Sequence, residues 1–177
     1  MTPRGPKSLF PSIEPLGPHH DRAAFSSGVG PLDRYLHQQA SQDLARHAAA
    51  VFVLTEPPAP AVLGYYTLSA TSVRLAELPQ AMVRKLPRYP QVPATLLGRL
   101  AVDESARGRR HGELLLMDAL RKSLSASRTV ASVALVVDAK DEAARRFYER
   151  YEFTLFSESP RRLFLPMRVI AALDLGE

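Results

Sequence analysis

The chain contains no cysteine and no tryptophan. Without thiols there is no disulfide framework, no thiolate nucleophile and no cysteine-based zinc site, a pattern that fits a reducing compartment. No apolar run is long enough to span a bilayer, and the N-terminal MTPRGPKSLFPSIEPLGP lacks the apolar core of a signal peptide. The expected location is therefore cytoplasmic, with no membrane partner. Neither a Walker P-loop nor a Gly-x-Gly-x-x-Gly fingerprint is present, and Ser26, Ser27 and Ser105 lack a nucleophile-elbow context. The histidines at 19, 20, 37, 47 and 111 show no metal-ligand spacing with carboxylates, so no metal is expected.

What remains is a chain of 177 residues, 46% hydrophobic and 23% charged, which suits one globular domain (1–177) with a real core. Residues 1–18 hold five prolines and read as an irregular leader, ending in a short strand near Phe10–Leu16 at a sheet edge. The formal charge of +5 favours phosphate-bearing partners, either a phosphorylated cofactor or nucleic acid.

Periodicity sets out the elements. Pro31 suits a first helical position, and Leu32, Tyr35, Leu36, Ala40 and Leu44 recur at helical spacing up to about Arg46. Ala48–Thr55 and Val62–Ala70 read as strands joined by a proline-rich loop, and residues 73–86 as a stretch containing a helix. Residues 87–93 read as an extended linker and Thr95–Val102 as a strand. A helix beginning at Glu113 carries Leu114, Leu115, Met117, Leu120 and Leu124 on one face. Ala131–Val137 reads as a buried strand, and Asp141 as the N-cap of a helix to about Arg150. Phe153–Phe156 and Arg162–Val169 read as a closing hairpin in which Pro166 marks an edge or bulge. The order predicts an α/β fold with a mixed sheet and helices on both faces.

The informative stretch is LGRLAVDESARGRRHGELLL, residues 97–116: an apolar strand ending at Leu100, Ala101 and Val102, a turn rich in Arg and Gly, then an apolar helix. The first turn of a helix has unpartnered N–H groups and the positive end of the helix dipole, so such a turn binds anions. Read blandly, it is a basic surface turn; the order strand, turn, helix favours a phosphate site.

RLAVDESARGRRHGELLLMDAL resembles the acetyl-coenzyme A motif of the GNAT acyltransferase superfamily: Arg or Gln, two residues, Gly, one residue, Gly or Ala. Arg107, Arg110 and Gly112 stand at those positions, so the middle glycine is replaced by Arg110. FSSGVGPLDRYL, VLGYYTLSATSV, PATLLGRLAVD, DEAARRFYERYEF and RLFLPM extend the resemblance over roughly residues 20–170, to the GNAT branch that includes the toxin acetyltransferases of toxin–antitoxin pairs. The resemblance implies a twisted, mostly antiparallel mixed sheet of about six or seven strands. It implies acetyl-CoA as cosubstrate, held by Leu100, Ala101, Val102, Arg107, Gly108, Arg109, Arg110, His111, Gly112 and Glu113, with Asp141, Ala144 and Phe147. His111 is a candidate for phosphate contact or for solvent. The implied partners are aminoacyl-tRNA as acceptor, a ribbon-helix-helix antitoxin, and a second copy in a homodimer.

By the same resemblance Tyr148 stands where these enzymes place the tyrosine that protonates the departing thiolate. On the residues alone, Phe147 is the expected core member of the pair, and packing is the simpler reading of Tyr148. No base is obvious, and an α-amine of pKa near ~8 needs little help, whereas a lysine near ~10.4 would need more. Arg74, Arg84, Lys85, Arg88 and Arg99, with Arg145 and Arg146 on the helix of Tyr148, read either as solvated faces or as a track for RNA. Two alternatives stay open: a GNAT acting on a metabolite, antibiotic or peptide amine, and a non-catalytic GNAT that binds coenzyme A or a partner.

Overall fold

A computed structural model describes residues 10–175. Seven strands form one sheet in the order β1-β2-β3-β4-β5-β7-β6. The strands are β1 (Ser12–Pro15), β2 (Ala50–Thr55), β3 (Gly64–Arg74), β4 (Gln91–Val102), β5 (Ala134–Asp138), β6 (Thr154–Leu155) and β7 (Arg162–Pro166). β4 and β5 are parallel, whereas β1–β2, β5–β7 and β6–β7 are antiparallel. This is the expected mixed α/β architecture. The helices are α1 (Gly30–Arg34), α2 (Ala40–Ala45), α3 (Gln80–Val83), α4 (His111–Ser127), α5 (Glu142–Arg150) and α6 (Met167–Ala172). The chain divides into two compact units, one ending at Thr67 and resuming over Arg99–Asp118, the other comprising Leu68–Gly98 and the residues from Ala119 onward.

In the first unit β1 pairs with β2 from Ser12↔Thr55 to Pro15↔Phe52, which places the predicted N-terminal strand at the end of the sheet order. The expected helix is present but is not uniform, because a π-helical turn, Tyr35–Gln39, separates α1 from α2. The Ala40 N–H reaches back five residues to the Tyr35 carbonyl. That extra residue per turn lets Tyr35, Leu36 and Ala40 all face inward. They pack with Leu16, Phe25, Val51, Val53 and Tyr65. On β3, Tyr65 turns toward this helical segment, stacking on Tyr35, while Tyr66 on the opposite face bonds Asp118 of α4 at 2.6 Å. The two helical segments thus cover opposite faces of the sheet.

In the second unit the core joins Val73, Val92, Ala94, Ala134, Val136, Phe156 and Phe164. β4 begins four residues before the expected Thr95 and includes Pro93, which is tolerated because it is exposed and its carbonyl accepts from the Val133 N–H at 2.9 Å. Residues 73–86 hold only a 3-10 turn (Leu75–Glu77) and the single-turn α3. Asp141 caps α5 as expected, its Oδ1 accepting from the Ala144 N–H at 2.8 Å. The closing hairpin stops at Pro166, and the segment read as strand to Val169 is the helix α6. Pro166 lies beyond the two β7 residues that β6 covers, Leu163 and Phe164, so it sits at a local edge; it ends the strand, and the next N–H, Met167, donates to Val133 O at 2.8 Å.

Candidate active site

The Arg/Gly turn is built from the strand outward. Asp103, just past β4, accepts from the Ser26 N–H at 2.8 Å on one oxygen and from the Ser105 N–H at 3.0 Å on the other. Partial burial would raise its pKa, but these hydrogen bonds outweigh it and hold the carboxyl below its ordinary value. The Glu104 N–H donates to Ser26 O at 2.8 Å, and Arg107 Nη2 donates to Ser27 O at 2.7 Å. The turn is thereby stapled to the loop before α1. Gly28 in that loop has φ of 82°, a backbone that glycine adopts without strain.

Gly108 has φ of 80° and Arg110 φ of 58°. Arg110 therefore keeps the left-handed backbone that the usual glycine would adopt, at a cost of about 1 kcal/mol. The consequence is a row of unsatisfied donors. Among the described residues nothing accepts from the N–H groups of residues 108–113, and the first helical bond is Leu114 N–H to Arg110 O at 3.1 Å. Six consecutive N–H groups at the positive end of the 17-residue α4 form a nest for an anion. α4 starts at His111, so His111, Gly112 and Glu113 are its first turn rather than part of the preceding loop.

Arg107 Nη2 donates to the Ser27 carbonyl, and Arg109 Nη1 pairs with Glu56 Oε1 at 2.7 Å. Each guanidinium keeps further N–H donors on an exposed side chain. Arg110 is exposed and has no partner among the described residues. His111 is buried, with both ring nitrogens unpaired and Glu56 3.8 Å away. Burial, and then the charge of Arg109, hold its pKa below the ordinary value against a smaller opposing pull from Glu56. His111 thus adds no positive charge at neutral pH and is not a solvent-exposed residue. Leu114 is exposed instead of Leu116, which is fully buried with Leu115, Ala119 and Leu120.

β4 pairs with β5 only over Thr95–Leu97, so the backbone of Leu100, Ala101 and Val102 lies outside that ladder. Gly64 of β3 approaches Ala101 closely: a Cβ there would meet Ala101 O at 3.1 Å and Leu115 Cδ1 at 2.9 Å.

In the second unit α5 carries Tyr148. The expected core order is reversed: Tyr148 is buried and Phe147 only half-buried. The Tyr148 ring packs against Phe147 at 5.2 Å and Phe153 at 5.4 Å between centroids. Burial pushes the phenol pKa well above the ordinary tyrosine value, and among the described residues no group hydrogen-bonds its hydroxyl. The side chain of Asp141 and the N–H of Ala144 are occupied by the α5 cap.

The basic candidates separate in the same way. Arg74 is paired with Glu77 at 2.7 Å and, with Phe156, Glu158, Ser159 and Arg162, lines a cavity of about 250 Å³. Arg145 is paired with Glu149 at 2.7 Å, and Arg146 Nε donates to Glu142 O at 3.3 Å. Arg84, Lys85 and Arg88 are exposed without a described partner. Arg99 belongs to the first unit and sits over the Tyr35 ring, 3.5 Å from its centroid.

One cluster escaped the reading of spacing. The polar atoms of Glu14, His19 and His20 lie within 4.8 Å of one another. The His20 ring is committed: Nδ1 accepts from the Gly17 N–H at 2.9 Å, which leaves the proton on Nε2, and that nitrogen donates to Glu14 Oε1 at 2.7 Å. A nitrogen that holds its proton for a carboxylate is not a metal ligand. The cluster forms because the turn after β1 folds His20 back onto Glu14, the His20 N–H donating to Gly17 O at 3.2 Å, a geometry that the spacing of these residues does not announce.

A mixed seven-stranded sheet whose fourth strand leads through an Arg/Gly turn into a long helix presents a helix start suited to a phosphorylated ligand. The chain belongs to the acetyltransferase (GNAT) family, whose pattern it matches over residues 29–153; acetyl-CoA is the acyl donor of that family. The chain is 35% identical over 153 residues to a tRNA-acetylating toxin of Mycobacterium tuberculosis, covering 86% of this chain and 90% of the relative. It is similar to AtaT complexed with acetyl-methionyl-tRNAfMet, with a TM-score of 0.86 and 31% identity over 92% of this chain and 98% of that one. It is also similar to an AtaT mutant toxin bound to the C-terminus of the antitoxin AtaR and acetyl-CoA, with a TM-score of 0.77 and 28% identity over 92% and 96% of the two chains.

Proposed function

We propose that this chain works as a single acetyltransferase domain in the cytoplasm, acetylating the α-amino group of an aminoacyl-tRNA. The observation that carries the reading is the row of unpaired N–H groups over 108–113, together with the left-handed backbone of Arg110. These residues fit a pyrophosphate: six donors and one uncommitted guanidinium suit a dianion, and the open space around Gly108 admits it. When bound, acetyl-CoA supplies the activated acyl group. The Leu100–Val102 backbone, outside the β5 ladder, would donate an N–H to the acyl carbonyl. Tyr148 would give its proton to the departing thiolate. Its raised pKa keeps that proton in place at neutral pH, and the absence of a competing partner leaves the hydroxyl available. An α-amine is partly neutral near pH 8, so positioning does more here than base catalysis.

The acceptor follows from the relatives. A protein 35% identical to this chain is a tRNA-acetylating toxin, and AtaT is solved with acetyl-methionyl-tRNAfMet. An antitoxin partner is supported by the AtaT–AtaR complex; its ribbon-helix-helix type and a homodimer belong to the same proposal.

Purified protein incubated with labelled acetyl-CoA and charged total tRNA should place label on the RNA-linked amino acid. Label absent from RNA but present on free amines would replace this reading with a small-amine acetyltransferase. Tyr148→Phe should keep its melting temperature and its acetyl-CoA affinity while single-turnover rate drops on the order of 10²-fold or more. Full rate in that variant removes the acid role.

A further inference from the structure

Arg99 is a cation on an inward face. Along β4 it shares the side of Leu97 and Ala101, both buried, and points to the face covered by the helical segment of residues 30–45. Its guanidinium lies 3.5 Å from the centroid of Tyr35, and Tyr35 is itself stacked on Tyr65 at 6.2 Å and 15°. Both tyrosines are anchored at their far ends, Tyr35 by its hydroxyl donating to Asp43 at 2.8 Å and Tyr65 to Leu32 O at 2.6 Å. Tyr35 is also the residue at which the π turn begins. Such turns interrupt helices frequently at functional sites, because a regular helix is the more stable alternative.

The platform holds the guanidinium over the Tyr35 ring but gives it no hydrogen bond. Asp43, the nearby carboxylate, is occupied by Tyr35 and by Gln39 Nε2 at 2.9 Å, and among the described residues Arg99 has no hydrogen bond or ion pair. Arg74, Arg107, Arg109 and Arg145, by contrast, are all committed to acceptors. The Arg99 nitrogens are not among the buried unpaired atoms, so they face solvent and stay available to a ligand, and the fork matches two oxygens of one phosphate.

We propose that Arg99, held on the Tyr35–Tyr65 stack, is a phosphate-binding fork for the RNA backbone beside the acceptor amine. The assignment rests on the tRNA reading above. The cofactor is the less suitable source of that phosphate, because α4 covers the opposite face of the sheet from Tyr35 and already offers six N–H donors at its start. Arg99 immediately precedes the Leu100–Val102 backbone in β4, so the proposed phosphate site adjoins the strand segment that would face the acyl group.

The test compares wild type with Arg99→Gln and Arg99→Lys by binding of uncharged tRNA at several salt concentrations, alongside acetyl-CoA calorimetry. Arg99→Gln is expected to weaken tRNA binding at least tenfold, to reduce the slope of log affinity against log salt by about 0.7–0.9, and to leave acetyl-CoA affinity unchanged. Arg99→Lys, which keeps the charge but loses the fork, should restore the salt slope and only part of the affinity. Because Lys preserves the charge over the tyrosine platform, this variant decides the matter if the Gln variant does not fold. Unchanged tRNA binding and slope in both variants, or equal weakening of acetyl-CoA, overturns the assignment, as does a wild type that binds no tRNA. Arg99-dependent tRNA binding without acetylation of charged tRNA would overturn the function proposed above and leave the fork standing.

Discussion

At the scale of single residues, Arg110 and His111 show opposite departures from what their chemistry favours. Arg110 adopts φ of 58°, which a glycine would take without strain. Arg110→Gly should therefore raise the unfolding free energy by up to about 1 kcal/mol. If its exposed side chain also meets the cofactor phosphates, acetyl-CoA affinity should fall about three- to tenfold in the same variant. Thermal melts and calorimetry read the two effects separately. His111 is buried without a partner for either nitrogen, a state that costs roughly 1–3 kcal/mol. Its folded pKa lies below 6.5, lowered first by burial and then by Arg109. Below about pH 6.5 the unfolded chain takes up a proton that the folded chain refuses. The stability tied to this group is thus fully present above that pH and declines as pH falls toward the folded value. His111→Met, which removes the titration at similar volume, should gain stability, and its advantage over wild type should widen between pH 7.5 and 5.5. An advantage constant over that range would refute the titration.

At the scale of elements, close approach matters more than propensity. β3 lies near Ala101 O and Leu115 because position 64 has no side chain. Gly64→Ala should cost about 1–3 kcal/mol by chemical denaturation, since one of its two near neighbours is backbone and cannot rotate away. The helical segment of residues 30–45 illustrates what periodicity misses. Leu32, Tyr35, Leu36, Ala40 and Leu44 do mark a helix, but 3.6-residue spacing cannot distinguish a regular helix from one with a π turn at Tyr35–Gln39. α6 was hidden for a related reason: RLFLPMRVIAAL is apolar enough to continue a strand, and only the end of pairing at Ala134↔Pro166 turns it into a helix.

At the scale of the whole molecule, the net charge of +5 does not tell which cations are available to RNA. Arg74, Arg109 and Arg145 are neutralised locally by Glu77, Glu56 and Glu149. Arg84, Lys85 and Arg88 are not, and replacing all three with Gln should lower the tRNA salt slope by about 0.7–0.9 for each RNA phosphate that these side chains neutralise in the wild type. Arg74→Gln and Arg145→Gln should change that slope little. A slope unaffected by the triple change would remove residues 84–88 from the RNA-binding surface.

Apart from the π turn and α6, the order of strands and helices was legible in the sequence, as were the cap at Asp141 and the strand, turn and helix of residues 97–116. Those features depend on neighbours in the chain: hydrophobic period, capping chemistry and the placement of Gly108 and Gly112. The tertiary structure alone decided which donors and charges are free. Whether Arg107 faces a phosphate or the Ser27 carbonyl, whether Tyr148 or Phe147 is buried, and whether Arg99 has an anion depend on groups up to 80 positions apart. A side chain's remaining hydrogen-bonding capacity is set by what packs beside it, which its own local sequence does not contain.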